Sequence, residues 1–204
     1  MPIPSTPALS LCGGHPSLDL VNTLDNRFRA SGPDEKLAGY PQLLRFLVDS
    51  RLIDTPRAEI LGRHVGTAPA EEALRSVREL REAAAAVLYG RVDEHTPAPT
   101  AVRTLEKYFL GAAQHRELHC EAAGVSWRWG RFEAQAQLPL WILAQSTMEL
   151  LLDEARLHRV RACGVDTCRW LFLDTSKNHT RRWCDMRVCG NRMKARRFKE
   201  KRDS

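Results

Sequence analysis

Six cysteines stand in the 204 residues, and four of them fall in the last quarter, at Cys163, Cys168, Cys184 and Cys189. They form two C-x4-C pairs with fifteen residues between the pairs. A short spacer lets both thiolates of a pair reach one ion, and four soft sulfur donors suit the tetrahedral preference of Zn(II). The intervening segment is long enough for a β-hairpin that joins the pairs. "RWLFLD" at 169–174 reads as one arm and "TSKNH" as the polar turn after it. A closed four-thiolate shell leaves no coordination position for water, so the role expected is one structural Zn(II) rather than catalysis. Two disulfides, or four plain buried thiols, are the competing readings of these cysteines. The chain start has no basic n-region and no long apolar segment, so a cytoplasmic location is expected, where structural disulfides are rare. An iron–sulfur cluster fits less well, because no ferredoxin-like spacing is present.

The charge divides at the same place. Residues 155–204 carry 15 Lys and Arg against 5 Asp and Glu, a net of +10. Residues 1–154 carry 16 against 20, a net of −4, and the whole chain is +6. An acidic body joined to a strongly basic unit suggests two jobs, with the basic part facing a polyanion. A unit of about fifty residues is also small for folding on hydrophobic burial alone. Structural zinc contributes about 10 kcal/mol to such a domain, and this binding energy becomes folding energy.

The basic side chains are placed by a predicted helix. After Gly190, expected to let the chain turn at the last cysteine, "NRMKARRFKEKR" has good helix formers and no breaker. Arg192, Arg196 and Lys199 fall on one face of it, and Lys194, Arg197 and Lys201 on a neighbouring stripe. Met193, Ala195 and Phe198 are the apolar residues expected to pack toward the metal. Arg181, Arg182 and Asn191 add shorter polar groups beside the site. Asn191 and Arg192 are candidates for hydrogen bonds to base edges, and Arg181, Arg182, Lys194, Arg196, Arg197 and Lys199 for backbone contacts. Trp170 and Trp183 read as packing against the metal site more than as stacking platforms. The competing reading of the run is a solvated, fraying tail.

Upstream, the periodicity predicts a helical body. A short helix over 18–24 carries Leu18, Val21 and Leu24 with Ser17 as cap. Further helices are expected over 41–51, from the Thr55-Pro56 pair to near Gly66, over 70–89 ending at Gly90, and over 101–115. "VSWRWGRF" alternates as a strand or hairpin arm. The segment 138–153 is apolar on most sides and reads as the central helix, too short and too interrupted by Gln145, Ser146, Thr147 and Glu149 to span a membrane.

The stretch from Cys163 to Arg202, with "RRWC" and Cys189-Gly190-Asn191-Arg192, resembles the CGNR zinc finger, a bacterial family named for that motif. "SLDLVNTLDNR" and the order of helices resemble the ABATE domain that precedes this finger. The resemblance implies a stress-induced transcription regulator, with the four cysteines as zinc ligands, the finger on DNA and the upstream domain sensing a ligand. The fold class expected is mainly α with small β elements (α+β). A helical domain over 10–154 precedes a small treble-clef-like or ribbon-like zinc module over 158–202 that ends in a basic helix.

Other signals carry less. His115 and His119 are four apart, but "HRELH" misplaces the glutamate of a metalloprotease helix, so they read as surface or boundary histidines. His179 is a substitute ligand that four thiols make unnecessary. Asp19, Asn22, Asp25 and Arg27 gather near one short helix, and Asp19, Asn22 and Arg27 are candidates for a small-molecule pocket. Asn22 reads better as a buried amide tying down a neighbouring loop. The helices over 41–51 and 56–65 have helix-turn-helix spacing, but the second is not strongly basic. Cys12 and Cys120 read as plain buried thiols. No nucleotide-binding loop or nucleophile elbow occurs, so the chain is read as a non-enzyme. The function expected is a zinc-dependent DNA-binding regulator, for which a homodimer is a candidate form, with an RNA-binding protein and an enzyme of the helical body as the alternatives.

Overall fold

Proline and capping side chains start most of the helices. The computed structural model describes residues 9–202, with the side chains of Arg197 and Lys201 outside that description. Helix α1 (Pro16–Asn22) opens with Pro16 in its first turn and with His15, not Ser17, as cap; His15 Nδ1 accepts from Ser17 N at 3.3 Å. Ser17 is instead fully buried, with its hydroxyl 3.3 Å from that of Ser146. Two-residue strands β1 (Leu24–Asp25) and β2 (Asp34–Glu35) pair antiparallel after it. Helices α2 (Tyr40–Asp49) and α3 (Thr55–Gly62) follow, the latter capped by Asp54 rather than Thr55.

The long helix α4 (Ala68–Val92) is capped by Thr67 and carries Leu74, Val77, Leu80, Ala84 and Leu88 into the core. It runs through Gly90, which was expected to end it. Gly90 is needed there because the chain folds back: a Cβ would lie 2.8 Å from the His95 carbonyl. Arg81 also points inward, 3% exposed, and forks onto Glu35 with both bonds at 2.7 Å. Helix α5 (Pro99–Gln114) and the apolar helix α6 (Leu138–Leu152) pack with α4, and α1 lies against α4 and α6. Leu138, Leu143, Ala144 and Leu150 of α6 are buried, so it is the central helix its composition predicts.

Between α5 and α6, strands β3 (Glu117–Glu121) and β4 (Gly124–Arg128) form an antiparallel hairpin whose residues are nearly all exposed. Cys120 sits on it and is exposed, not buried as expected. His119 is exposed beside Glu121, while His115 stacks on Trp141 with centroids 4.4 Å apart, so the two histidines serve different surroundings.

After the single-turn helix α7 (Glu154–Leu157), β5 (Val160–Ala162) pairs antiparallel with β6 (Leu171–Leu173). "RWLFLD" is therefore a hairpin arm, but its partner lies upstream, across the Cys163–Cys168 turn. The segment after it is not a strand, because its donors are taken by a buried carboxylate: Asp174 accepts from Ser176 N, Ser176 Oγ and Arg181 N. A wide helical turn, Met186–Gly190, leads into α8 (Asn191–Arg202). The molecule is thus mainly α, with three small antiparallel sheets among the described residues and the basic helix last of these elements.

Candidate metal centre and basic surface

Two turns bring the cysteine pairs together. The first lies between β5 and β6, where Cys163 N donates to Trp170 O at 2.8 Å and Cys168 N to Val165 O at 2.8 Å. The second is the wide turn before α8. Its cap Asp185 accepts from Arg187 N at 2.6 Å, and Cys189 N and Gly190 N both donate to Asp185 O. The turns are bound to each other by Gly164 N donating to Arg182 O at 2.9 Å. Gly190 is the last residue of this turn and lies close to Trp183, with a Cβ there 3.2 Å from its Cδ1.

All four sulfurs of Cys163, Cys168, Cys184 and Cys189 lie within 4.8 Å of one another. Cys184 Sγ is 3.7 Å from both Cys168 Sγ and Cys189 Sγ. A Zn–S length of ~2.3 Å gives a tetrahedron with edges of about 3.8 Å. The donor set and its spacing therefore fit one tetrahedral Zn(II), and among the described residues no histidine joins the cluster. Cys163, Cys184 and Cys189 are buried and Cys168 is half-buried. Side-chain hydrogen bonds from Cys168 and Cys184 hold the Cys163 thiol far below its ordinary value, and backbone N–H groups of Cys184 and Val165 add to this. Burial raises Cys189, and the charge of Cys163 raises it further. Four thiolates cannot sit this close without a cation, and that is the property of a metal site.

The expected nucleic-acid residues divide. Arg182, Asn191, Arg192, Lys194, Arg196 and Lys199 are all exposed around and along α8, and Arg187, which sequence reasoning passed over, is exposed beside them. Asn191 donates to Arg187 O at 3.0 Å and Arg196 pairs with Glu200 one turn on. The side chain of Arg197 lies outside the described residues. Arg181 is placed differently from its neighbours. Its guanidinium donates to the carbonyls of Trp183 (2.9 Å), Cys12 (3.3 Å) and Cys184 and lies over Phe172, so it braces the metal turn from within. Of the apolar residues of α8, Met193 packs against the thiol cluster, but Ala195 and Phe198 are exposed; Phe198 is 67% exposed.

The metal turns are locked onto the helical body. The Asn22 amide both donates to Leu171 O and accepts from Leu171 N, each at 2.9 Å, which makes it the buried tie expected of it. Trp170 Nε1 donates to Asp25 at 2.8 Å, Tyr89 hydroxyl to Arg169 O at 2.9 Å, and Leu173 N to Gly13 O at 2.7 Å. Beside this seam lies a cavity of about 470 Å³, lined by Leu9, Leu11, Asp19, Asn22, Asp25, Glu35, Lys36 and Trp170 among others. Asp19 and Asn22 meet there, but Arg27 does not. Its guanidinium turns away to Glu82 because the chain leaves the helix at Asn22.

Burial raises the Asp19 carboxyl to about 6, against the N–H groups of Gly13 and Cys12 that lower it. A raised folded-state value means that the cost of ionising Asp19 is absent in acid and grows as pH rises toward 6. Asp19→Asn is therefore expected to stabilise the protein at pH 7.5 by up to about 3 kcal/mol, with the gain shrinking as pH approaches 4. Thermal midpoints of both proteins across that range check it; a gain that grows in acid would contradict the assignment.

Comparison with known families agrees with this layout. The CGNR zinc finger profile matches residues 159–202. The ABATE profile, described as "Putative stress-induced transcription regulator", matches residues 14–154. No curated protein matches the chain significantly. With the ABATE match spanning well over half of its length, the chain belongs to the ABATE family and ends in a CGNR zinc finger.

Proposed function

We propose that the protein is a zinc-dependent DNA-binding transcription regulator whose helical body, about residues 10–154, responds to a small-molecule effector. The observation that carries this reading is the continuity of Cys189 with α8. The last sulfur of the cluster and the exposed Arg192, Lys194, Arg196 and Lys199 sit on consecutive turns. Cys163, Cys168, Cys184 and Cys189 would hold one Zn(II), which supplies rigidity and no open coordination site. With the turn fixed, the cationic side chains are presented in one orientation rather than on a fraying tail. Arg192, beside the metal turn, and Asn191 then suit base edges, and Arg182, Arg187, Lys194, Arg196 and Lys199 suit phosphates.

The cavity at the seam supports the effector half of the reading. It has apolar walls, a buried carboxylate in Asp19 and an indole face in Trp170, and it touches both the body and the metal module. Occupancy there would bear on Asp25–Trp170 and Asn22–Leu171, the bonds that orient the finger. Both matched families are of regulator or zinc-finger type, which favours a non-enzyme. No described helix is long and apolar enough to cross a membrane. A cytoplasmic, dimeric protein is the form this reading expects, because paired half-sites give a single small finger its specificity.

Titration of duplex DNA at increasing salt tests the reading. Binding should weaken with a log–log slope of roughly −4 if four or five phosphates are neutralised, at about −0.9 each. Arg192→Ala should lose about 1–3 kcal/mol of binding to a preferred site while keeping its zinc. DNA affinity insensitive to salt, or structured RNA outcompeting duplex DNA at equal ionic strength, would overturn the DNA assignment.

A further inference from the structure

Cys12 belongs to the metal module in space although it lies 151 residues from Cys163 in sequence. Its side chain packs against the cluster formed by Cys163, Cys184 and Cys189. The backbone around it is clamped on both sides. The N–H of the neighbouring Gly13 donates to the Asp19 carboxylate at 2.7 Å. The Cys12 carbonyl accepts from Arg181 at 3.3 Å, and the same guanidinium holds the Cys184 carbonyl. A cleft of about 280 Å³ is lined by Cys12, Cys168, Cys184 and Cys189 together. Four sulfurs complete a tetrahedral shell, and a fifth packed beside them is not needed to hold the metal.

We propose that Cys12 and Cys184 are a disulfide-forming pair that opens the metal centre when a peroxide enters this cleft. Hydrogen peroxide transfers one oxygen to the Cys12 sulfur, giving the sulfenic acid and releasing water. The Cys184 thiolate then attacks that sulfur; the S–S bond forms, the S–O bond breaks and hydroxide leaves. The peroxide takes up two electrons in all, and the two cysteine sulfurs supply them. Cys184 is thereby lost as a donor, three sulfurs remain, and the turn that carries α8 is released. A dithiol reductant reverses the step, and zinc can then rebind. The inference rests on the zinc reading of the four-cysteine cluster.

The test uses the full-length, zinc-loaded protein with its metal content measured first. Hydrogen peroxide is added in steps, zinc release is followed with a chromogenic chelator, and cysteine linkages are mapped by mass spectrometry of proteolytic peptides. The proposal expects a Cys12–Cys184 linked peptide that grows in step with released zinc, and recovery of both on adding dithiothreitol and zinc. Cys12→Ser should begin with the same zinc content and release it more slowly, by about an order of magnitude, with its losses passing to irreversible higher oxidation states. Linked peptides confined to Cys163, Cys168, Cys184 and Cys189, with Cys12 still free, would overturn it. So would release from Cys12→Ser at the wild-type rate. The peptide map of the wild-type chain decides the matter even if the variant is unstable. Protein that carries no zinc yet forms the Cys12–Cys184 link would sink the zinc reading while supporting the pairing.

Discussion

Cys184→Ser is expected to abolish stoichiometric zinc binding and, with it, measurable binding to DNA. Cys184 is the sulfur whose contacts to both Cys168 and Cys189 measure 3.7 Å, so it joins the two pairs. A serine hydroxyl is a poor zinc ligand, and the binding energy of such a site, about 10 kcal/mol, is folding energy for the part that depends on it. That part is limited. Among the described residues, the apolar support for the segment after Asp174 is the small cluster of thiols with Val165, Phe172, Trp170, Trp183 and Met193. The main core is formed by α1, α2, α4, α5 and α6, with Val160 and Leu171 of β5 and β6 joining it. The variant should therefore keep most of its helical circular dichroism while becoming sensitive to protease between 175 and 190. Loss of the whole far-ultraviolet signal would show that the body needs the metal too. Full zinc content would show that Cys184 is not a ligand.

The second large effect is expected inside the body. Glu35→Ala leaves the 3%-exposed Arg81 without its fork, and Glu82, at 2.8 Å from Nε, remains as its carboxylate partner. Removing one member of a buried ion pair costs about 3 kcal/mol, the lower end of the usual range because Glu82 stays. For a chain of this size that lowers the melting midpoint by roughly 10 °C. Glu35→Gln, which keeps an acceptor, should lose less. Equal melting of Glu35→Ala and wild type would mean that Arg81 is held by its other partners alone.

The features legible in the sequence are those that repeat at short range. The cysteine spacing places all four sulfurs in one cluster, the charge break locates the basic helix, and the 3.6-residue stripe of α4 predicts its buried face. What escaped depends on contacts between distant segments. β6 pairs upstream with β5 because Asp174 claims the donors that a downstream arm would have offered. Arg181 sits in a run of cations and looks like its neighbours, yet four backbone carbonyls surround it. Arg27 follows Asn22 by five residues, but a helix of only seven residues ends between them and sends the two side chains to different places. Cys12 carries no spacing signal at all; only the fold sets it beside Cys184. Gly90 has the ordinary look of a helix stop, and only the return of the chain at His95 explains why it lies inside the helix.

These features make one assembly. The body's core holds α1; Asn22 of α1 and Asp25 of β1 hold Leu171 and Trp170, whose backbone in turn shapes the first cysteine turn. Gly164 N to Arg182 O ties that turn to the second, a bound metal would fix the two together, and the second begins α8. Any regulation of nucleic-acid binding by the body has this short route available to it.

The most direct test is the metal itself. Elemental analysis of freshly purified, reduced full-length protein should find one zinc per chain, displaced in a single step as the four thiols of Cys163, Cys168, Cys184 and Cys189 are modified. Protein that carries no stoichiometric metal under those conditions, yet binds DNA unchanged, would contradict the account.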